Sequence, residues 1–463
     1  MQNEMKMPER VCFVGLGKLG APIAAATAAA GVEVVAVDRD AERVAAVNRG
    51  EAAVEEPGLD ALMERVGRAG GRLRATTEVV EAVGGGGAEM TFLIVPTPSG
   101  EDGGFVLDAV LAAVREVGKA LRMSRRRHVV VVTSTVMPGS TAGPIREALE
   151  SASGRVVGGD DGLGLCYSPE FIALGSVIRD YLTPDLVLIG ESDAAAGDAL
   201  EAFSRRVTLN APPVRRMNLV NAELTKLTLN TFVTTKLTFA NTVAAVCEGL
   251  PGADVDVVTG AIGLDSRVGS KCLKGATGYG GPCFPRDNRA LAALGRSVGA
   301  DVRLPGAVDA VNDGVVDRLV GMVEGVSSAD APVLVLGLSY KPGTGVVEQS
   351  QGLMVAERLA ATGRRVVVHD PMGMDAARET LGGAVGYAGD GRAAVEEVSG
   401  AGGAVVLATP WPEYAAVGSV MRGGVLVDAW RGVEVSGLAA GVGYVAVGRG
   451  ADGQGVRSKA EAA

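Results

Sequence analysis

Residues 11–38 read VCFVGLGKLGAPIAAATAAAGVEVVAVD, and this stretch decides the fold. Four apolar residues, Val11 to Val14, run straight into a turn holding Gly15, Gly17 and Gly20. An Ala-rich stretch follows as far as Gly31, and a second apolar run ends on Asp38. Strand, glycine turn, helix and second strand within about 30 residues make the first half of a parallel crossover. In that setting the first glycine makes the tight turn, the second lets the backbone approach a pyrophosphate, and the third lets the helix pack close. The helix N-terminus then stabilises the phosphate charge. Asp38 stands about 20 residues on, where a carboxylate binds a ribose 2′-hydroxyl and repels a 2′-phosphate. NAD is therefore the expected cofactor at Gly15, Gly17, Gly20 and Asp38, with only the adjacent Arg39 pulling towards NADP. A bare GxGxxG is weak in a chain with 67 glycines. Its place between a strand and a helix separates it from a glycine-rich turn beside a solvated aspartate.

Outward from this unit, TFLIVPTP (91–98), HVVVVTSTV (128–136) and LVLIG (186–190) read as further buried parallel strands. The run Gly84–Gly87 has no strand leading straight into it and reads as a flexible connection. A long helical pattern spans 218–250, with Gly249 its first Gly or Pro, and exceeds ordinary globular helix length. Its expected role is to bridge domains or to form an oligomer interface. After Ser327 the alternation restarts with PVLVLGL (332–338), RRVVVHDP (364–371), GAVVLATP (403–410) and GGVLVDAW (423–430). The fold expected is α/β: two doubly wound, Rossmann-like parallel-sheet domains joined by a long central helix and a helical middle domain. The boundaries expected are 1–210 for the NAD-binding domain, 211–326 for the helical one and 327–455 for the second sheet. That second sheet lacks GxGxxG, so its switch point is expected to take another ligand, a nucleotide diphosphate near Tyr340 and Lys341. Beyond residue 450 the chain is polar and small, which reads as a frayed tail.

Composition excludes several functions. The 463 residues carry a formal charge of -10 and no long basic tract, which argues against a nucleic-acid partner. No apolar run reaches the roughly 20 residues that span a bilayer. MQNEMKMPER has no signal-peptide core, so the cytoplasm is the expected location. Five scattered cysteines and two histidines give neither a disulfide framework nor metal-ligand spacing, so no metal is expected. His128 and His369, at the edges of strands, read as structural.

The chemistry lies elsewhere. GYGGPCFPRDN (278–288) puts Cys283 in a glycine-rich loop four residues before Asp287. Glycines there permit close substrate approach, and a loop thiol is accessible as a buried one is not. By itself such a cysteine more often fills a packed turn. Lys226 and Asn230, spaced i,i+4 with Glu223 one turn earlier, share a helix face. An ammonium beside an amide stabilises an oxyanion and favours a thiolate, although a solvated polar stripe looks the same.

With these residues in place the chain resembles the UDP-glucose/GDP-mannose dehydrogenase family over nearly its whole length. The resemblance rests on GLGKLG, EEPGL, VPTP, STVMPGST, SPEF, ELTKLTLN, LDSRVG, GYGGPCFPRD and LGLSYKPGT, in the family's order. It implies that Cys283 is the nucleophile, Lys226 and Asn230 the oxyanion pair, and Asp287 the catalytic aspartate. Thr135 and Glu170 are implied in water placement and thioester chemistry, and Pro96 and Thr97 in holding the cofactor. Phe171, Lys274, Tyr279, Tyr340 and Lys341 are implied on the sugar-nucleotide side, with Arg267 reaching a partner subunit's site in a homodimer or higher oligomer. The implied reaction is a four-electron oxidation of a nucleotide-diphosphate hexose at its C6 alcohol. It passes through a thiohemiacetal and a thioester on Cys283 to the uronic acid.

Two rival readings share this layout: a two-electron hydroxy-acid dehydrogenase, which needs no Cys283, and a catalytically silent nucleotide-sugar-binding protein. The chain also departs from the family's pattern. Leu174 follows SPEF where a polar residue is usual. Val346 and Glu348 stand where Asp and Arg are expected, and Trp430 replaces an arginine with Arg431 one place later. These changes spare the chemical residues and hint at an unusual nucleotide or sugar, for instance a thymidine diphosphate.

Overall fold

The computed structural model describes residues 8–67, 71–84, 87–122, 124 and 126–450. The first seven residues, the centre of the Gly84–Gly87 run and the tail expected beyond 450 lie outside the described residues. The chain divides into two compact units. One holds the residues up to Thr228 together with Ala293–Val298, and the other holds Leu229–Ala292 together with the residues from Gly299 onward.

The first unit is built on eight strands: β1 (Arg10–Val14), β2 (Glu33–Val37), β3 (Leu73–Thr76), β4 (Met90–Leu93), β5 (His128–Val132), β6 (Leu163–Tyr167), β7 (Val187–Glu191) and β8 (Val214–Asn218). Their order is β3-β2-β1-β4-β5-β6-β7-β8. Alternation places Val11 and Phe13 in the apolar layer on one face and Cys12 and Val14 in the layer on the other. Both faces are covered, which is why these strands read as continuous apolar runs. All pairs are parallel except β6 with β7, which meet antiparallel at Cys166–Glu191 and Tyr167–Gly190, so LVLIG, expected as a parallel strand, runs parallel only to β8. The polar strand β8 is fixed by charge: Arg216 pairs with Glu191 at 2.7 Å and with Glu201 at 3.3 Å.

The second unit carries six parallel strands: β9 (Val333–Leu336), β10 (Val366–His369), β11 (Gly386–Tyr387), β12 (Ala404–Leu407), β13 (Val425–Asp428) and β14 (Gly443–Ala446). They run in the order β11-β10-β9-β12-β13-β14. The helix expected over 218–250 is observed as Leu219–Glu248, which extends from the end of the first unit into the second. Its threonines return hydroxyl hydrogen bonds to carbonyls one turn back, as Thr225 does to Asn221 and Thr242 to Thr238.

Each sheet has its switch point beside its first strand. Gly15 follows β1, between β2 and β4, at φ +106°, and a Cβ there would lie 2.1 Å from the Ile94 carbonyl oxygen. A Cβ on Gly20 would lie 1.9 Å from the Gly15 carbonyl oxygen, so helix and strand touch backbone to backbone. Gly337 after β9 repeats the arrangement at φ +95°, and a Cβ on Gly352 would lie 2.0 Å from the Gly337 carbonyl oxygen. Asp38 and Asp370 occupy matching places: Leu16 donates its N–H to Asp38 at 2.6 Å, and Leu338 donates to Asp370 at 2.7 Å. Among the described residues no helix is long and apolar enough to cross a membrane.

Candidate functional site

In the first unit the glycine turn fits a dinucleotide. Gly15 and Gly20 are closed against backbone, whereas a Cβ on Gly17 would meet nothing within 4 Å. The middle glycine therefore presents bare backbone to open space in front of the helix Gly20–Ala29, which has no acidic residue in its first turn. Asp38 accepts from the N–H groups of Leu16 and Asp40, so its carboxylate is held at the end of β2. Arg43, rather than the adjacent Arg39, is the cation that approaches it, at 3.8 Å. Thr97 donates its hydroxyl to the Thr135 carbonyl at 2.8 Å, tying the VPTP loop after β4 to the STV loop after β5, while Pro96 is exposed.

Glu223 stands one turn before Lys226 on the helix Leu219–Glu248. It is fully buried and accepts from Gly139 N–H at 2.6 Å and Thr141 N–H at 2.7 Å, pinning the loop that follows Thr135. Lys226, one turn on, donates to the Glu170 carbonyl at 2.7 Å and lies 4.7 Å above the Phe171 ring. Burial pushes the Glu170 carboxyl up to about 7, with the Lys226 charge acting against the rise. The EEPGL motif has a structural task as well: Glu56 accepts from Gly175 and Val177 N–H and so shapes the segment after SPEF. Leu174, the departure from the family's polar residue, packs its partly buried side chain on the core of this unit.

In the second unit Cys283 is exposed immediately before the helix Phe284–Ser297, and its carbonyl accepts the Asp287 N–H at 2.9 Å to close the first helical turn. A helix N-terminus favours negative charge, which suits a thiolate. Asp287 is fully buried and engaged at both oxygens. Asn230 donates to Oδ2 at 2.6 Å, and Arg286 donates twice to Oδ1, at 3.1 and 3.0 Å. Arg286 was missed from sequence, although its place beside Asp287 in FPRD was visible.

A cavity of about 400 Å³, within the range of small-molecule sites, opens in this unit. Lys274, Tyr279, Tyr340 and Lys341 line it, which brings together four of the expected substrate residues. Phe284, Cys272, Asp256 and Trp430 also line it and were not anticipated there. Two cations and several aromatic rings around one hollow match a phosphate-bearing ligand with a planar base. Trp430 donates its indole N–H to the Ala408 carbonyl at 2.8 Å. The buried Arg431 turns away, bonded to Asp256 at 2.7 and 2.8 Å and to the Gly275 carbonyl at 2.7 Å. Arg267 does not line the cavity; it is 87% exposed and paired with Asp265 at 2.7 Å.

Neither histidine faces these residues. His128 is buried between Thr91 and the Ala88 carbonyl and is pushed down to about 3 by that burial, while His369 bonds to Tyr414. Among the described residues no group of three or more His, Cys, Asp or Glu stands placed to hold a metal ion.

Comparison with known proteins identifies the family. The chain matches the family models of the UDP-glucose/GDP-mannose dehydrogenase family: the NAD binding domain over 9–208, the central domain over 220–314 and the UDP binding domain over 334–434. It is 38% identical over 425 residues to the UDP-glucose 6-dehydrogenase of Haloferax volcanii, covering 90% of this chain and 96% of that protein. The GDP-mannose 6-dehydrogenase of Pseudomonas putida is 35% identical over 366 residues, 78% of this chain and 80% of its own. The solved structure of a UDP-glucose dehydrogenase from Pyrobaculum islandicum superposes with a TM-score of 0.84 at 34% identity, covering 97% of this chain and 99% of that one. The chain belongs to the UDP-glucose/GDP-mannose dehydrogenase family and is an NAD-dependent nucleotide-sugar 6-dehydrogenase.

Proposed function

We propose that the substrate is a uridine diphosphate hexose of the UDP-glucose kind, oxidised at C6 to the uronate with Cys283 as the covalent carrier. The observation that carries this reading is an exposed thiol at a helix start, one turn before the buried Asp287–Asn230 pair. NAD, when bound, accepts a hydride in each of the two oxidations. Lys226, or a water held by Asp287, takes the proton of the C6 alcohol in the first. The Cys283 sulfur then bonds to the aldehyde carbon, and the resulting oxyanion is balanced by the Lys226 ammonium and the second amide N–H of Asn230. Loss of the second hydride leaves a thioester. Water placed by Asp287, Thr135 and Glu170 adds to its carbonyl and expels the thiolate, releasing the acid.

Gly15, Gly17, Gly20, Asp38, Pro96 and Thr97 hold the cofactor in this reading. Phe171, Lys274, Tyr279, Tyr340 and Lys341 hold the sugar nucleotide, and Arg267 serves the neighbouring subunit of a homodimer. The functional division then follows 1–210, 211–326 and 327–455. The test is the NADH yield per sugar across UDP-glucose, dTDP-glucose, UDP-N-acetyl sugars and GDP-mannose. Two NADH per UDP-glucose, with no acid formed by Cys283→Ala, is the expected result. One NADH and an active Cys283→Ala variant would instead indicate a two-electron dehydrogenase. Preference for dTDP-glucose would move the assignment to the thymidine nucleotide, for which the Trp430 and Glu348 departures give the reason.

A further inference from the structure

The glycines that lead to Cys283 border the cavity at Gly278 and Gly280, yet the side-chain position of each is closed by protein. A Cβ on Gly280 would lie 2.1 Å from the Gln349 carbonyl oxygen. One on Gly281, at φ +81°, would lie 2.7 Å from the Tyr340 ring, and one on Gly278 would lie 2.4 Å from Asn312 Oδ1. The space that a side chain would occupy at each is filled by the protein, unlike the open space at Gly17. Between these glycines every backbone polar group of Tyr279 is taken: Asn312 accepts its N–H at 2.8 Å and donates to its carbonyl at 3.0 Å. The buried Gln351 adds a long 3.5 Å bond to the same carbonyl, and Gly281 N–H donates to the Glu348 carbonyl at 3.0 Å. The Tyr279 hydroxyl, bonded to Asp309 and Asn288, anchors the loop from its other side.

Asn312, Asp309 and Asn288 hold Tyr279. The contacts to Gly280 and Gly281 come instead from Gln349, Tyr340 and Glu348 in the connection between β9 and the helix Gln351–Ala361, which also carries Tyr340 and Lys341 to the cavity. Gln349 sits there at φ +52°, a left-handed conformation that is strained for a non-glycine residue. Such strain persists only where its surroundings over-determine it. Here the strained residue presents its carbonyl to Gly280.

We propose that this connection is the seat of the nucleophile loop, and that Gln349 and Gln351 are positioning residues for Cys283. The glycines of GYGGPC then serve protein packing, and the segment that grips the nucleotide end of the substrate also sets the thiol. The kinetic form of this inference rests on the four-electron reading above.

Two variants test it, Gly280→Ala and Gln351→Leu, each checked for a folded circular dichroism spectrum. With wild-type enzyme yielding two NADH, a misplaced thiol lets aldehyde escape before capture. A displacement of about 1 Å costs on the order of a hundred-fold in rate. The expected results are a fall in kcat of ten-fold or more, by the same scaling, with NADH yield dropping towards one and KM nearly unchanged. A raised KM with kcat and two NADH retained would overturn the inference and return the glycines to substrate approach. Iodoacetamide labelling of Cys283, read by mass spectrometry, needs no turnover, so it tests the seat even if the wild type yields one NADH. A several-fold change in labelling rate is expected in whichever variant folds. A rate equal to wild type in a folded variant overturns the proposal.

Discussion

In the first unit the Glu170 carboxyl bears on stability and, in the proposed mechanism, on the reaction. Glu170 is held up to about 7 by burial, against the pull of Lys226, so the folded chain keeps its proton longer than the unfolded chain does. The sign follows from linkage: the stability belonging to the protonated form is complete below the ordinary carboxylate value of 4.5 and is lost as pH rises through about 7. Denaturant titrations of wild type and Glu170→Gln should therefore diverge across that window, the wild type losing roughly 1–3 kcal/mol that the variant keeps. Catalysis runs the other way. If Glu170 assists thioester hydrolysis as a base, kcat should rise with pH to a plateau above about 7, and Glu170→Gln should lower kcat and flatten that limb. A variant that keeps the wild-type profile removes Glu170 from the chemistry.

The glycine turn shows how one short element divides its labour. Gly20→Ala forces a methyl against the Gly15 carbonyl and should cost about 1–3 kcal/mol in thermal or denaturant unfolding. Gly17→Ala meets only open space, so its unfolding midpoint should match wild type while KM for NAD rises several-fold. Equal effects of the two substitutions on stability would contradict the division. This turn was fully legible in sequence because its roles depend on local order: strand, glycines, helix, carboxylate. The same holds for β1, β2, β4, β5, β9, β10, β12 and β13, whose apolar runs mark burial on both faces. The strands β3, β6, β8, β11 and β14 escaped notice for physical reasons, the last two because GY is two residues long and GYVA opens on a glycine. LRAT is short, LGLCY contains a glycine, and VRRMN draws its stability from the Arg216 ion pairs rather than from apolar burial. At the candidate site the sequence marked Cys283, Asp287 and Lys226 by motif. It could not show that Glu223 is a buried clamp, or that the GYGG glycines are closed by Gln349, Tyr340 and Asn312, since those contacts join segments distant in sequence.

At the scale of the whole molecule, one surface remains to be covered. Phe232, Phe239 and Val246 recur every seven residues along the helix Leu219–Glu248 and are 64%, 50% and 57% exposed. Apolar side chains on one face at that interval favour burial against another copy of the chain. The proposed homodimer thus predicts that Phe232→Ser with Phe239→Ser shifts sedimentation towards the monomer, and a wild type that sediments as a monomer would refute it. The two sheets also carry a lesson about length. Gly15 and Gly20 stand five residues apart and Gly337 and Gly352 fifteen, yet each pair brings a helix onto a strand by the same missing side chains. The first interval has no slack, since an added residue would rotate Gly20 out of its contact. The second is spanned by a longer connection, the one that closes over the glycines before Cys283. A search by fixed spacing finds the first turn and passes over the second, whereas a search for paired positions that tolerate no β-carbon finds both.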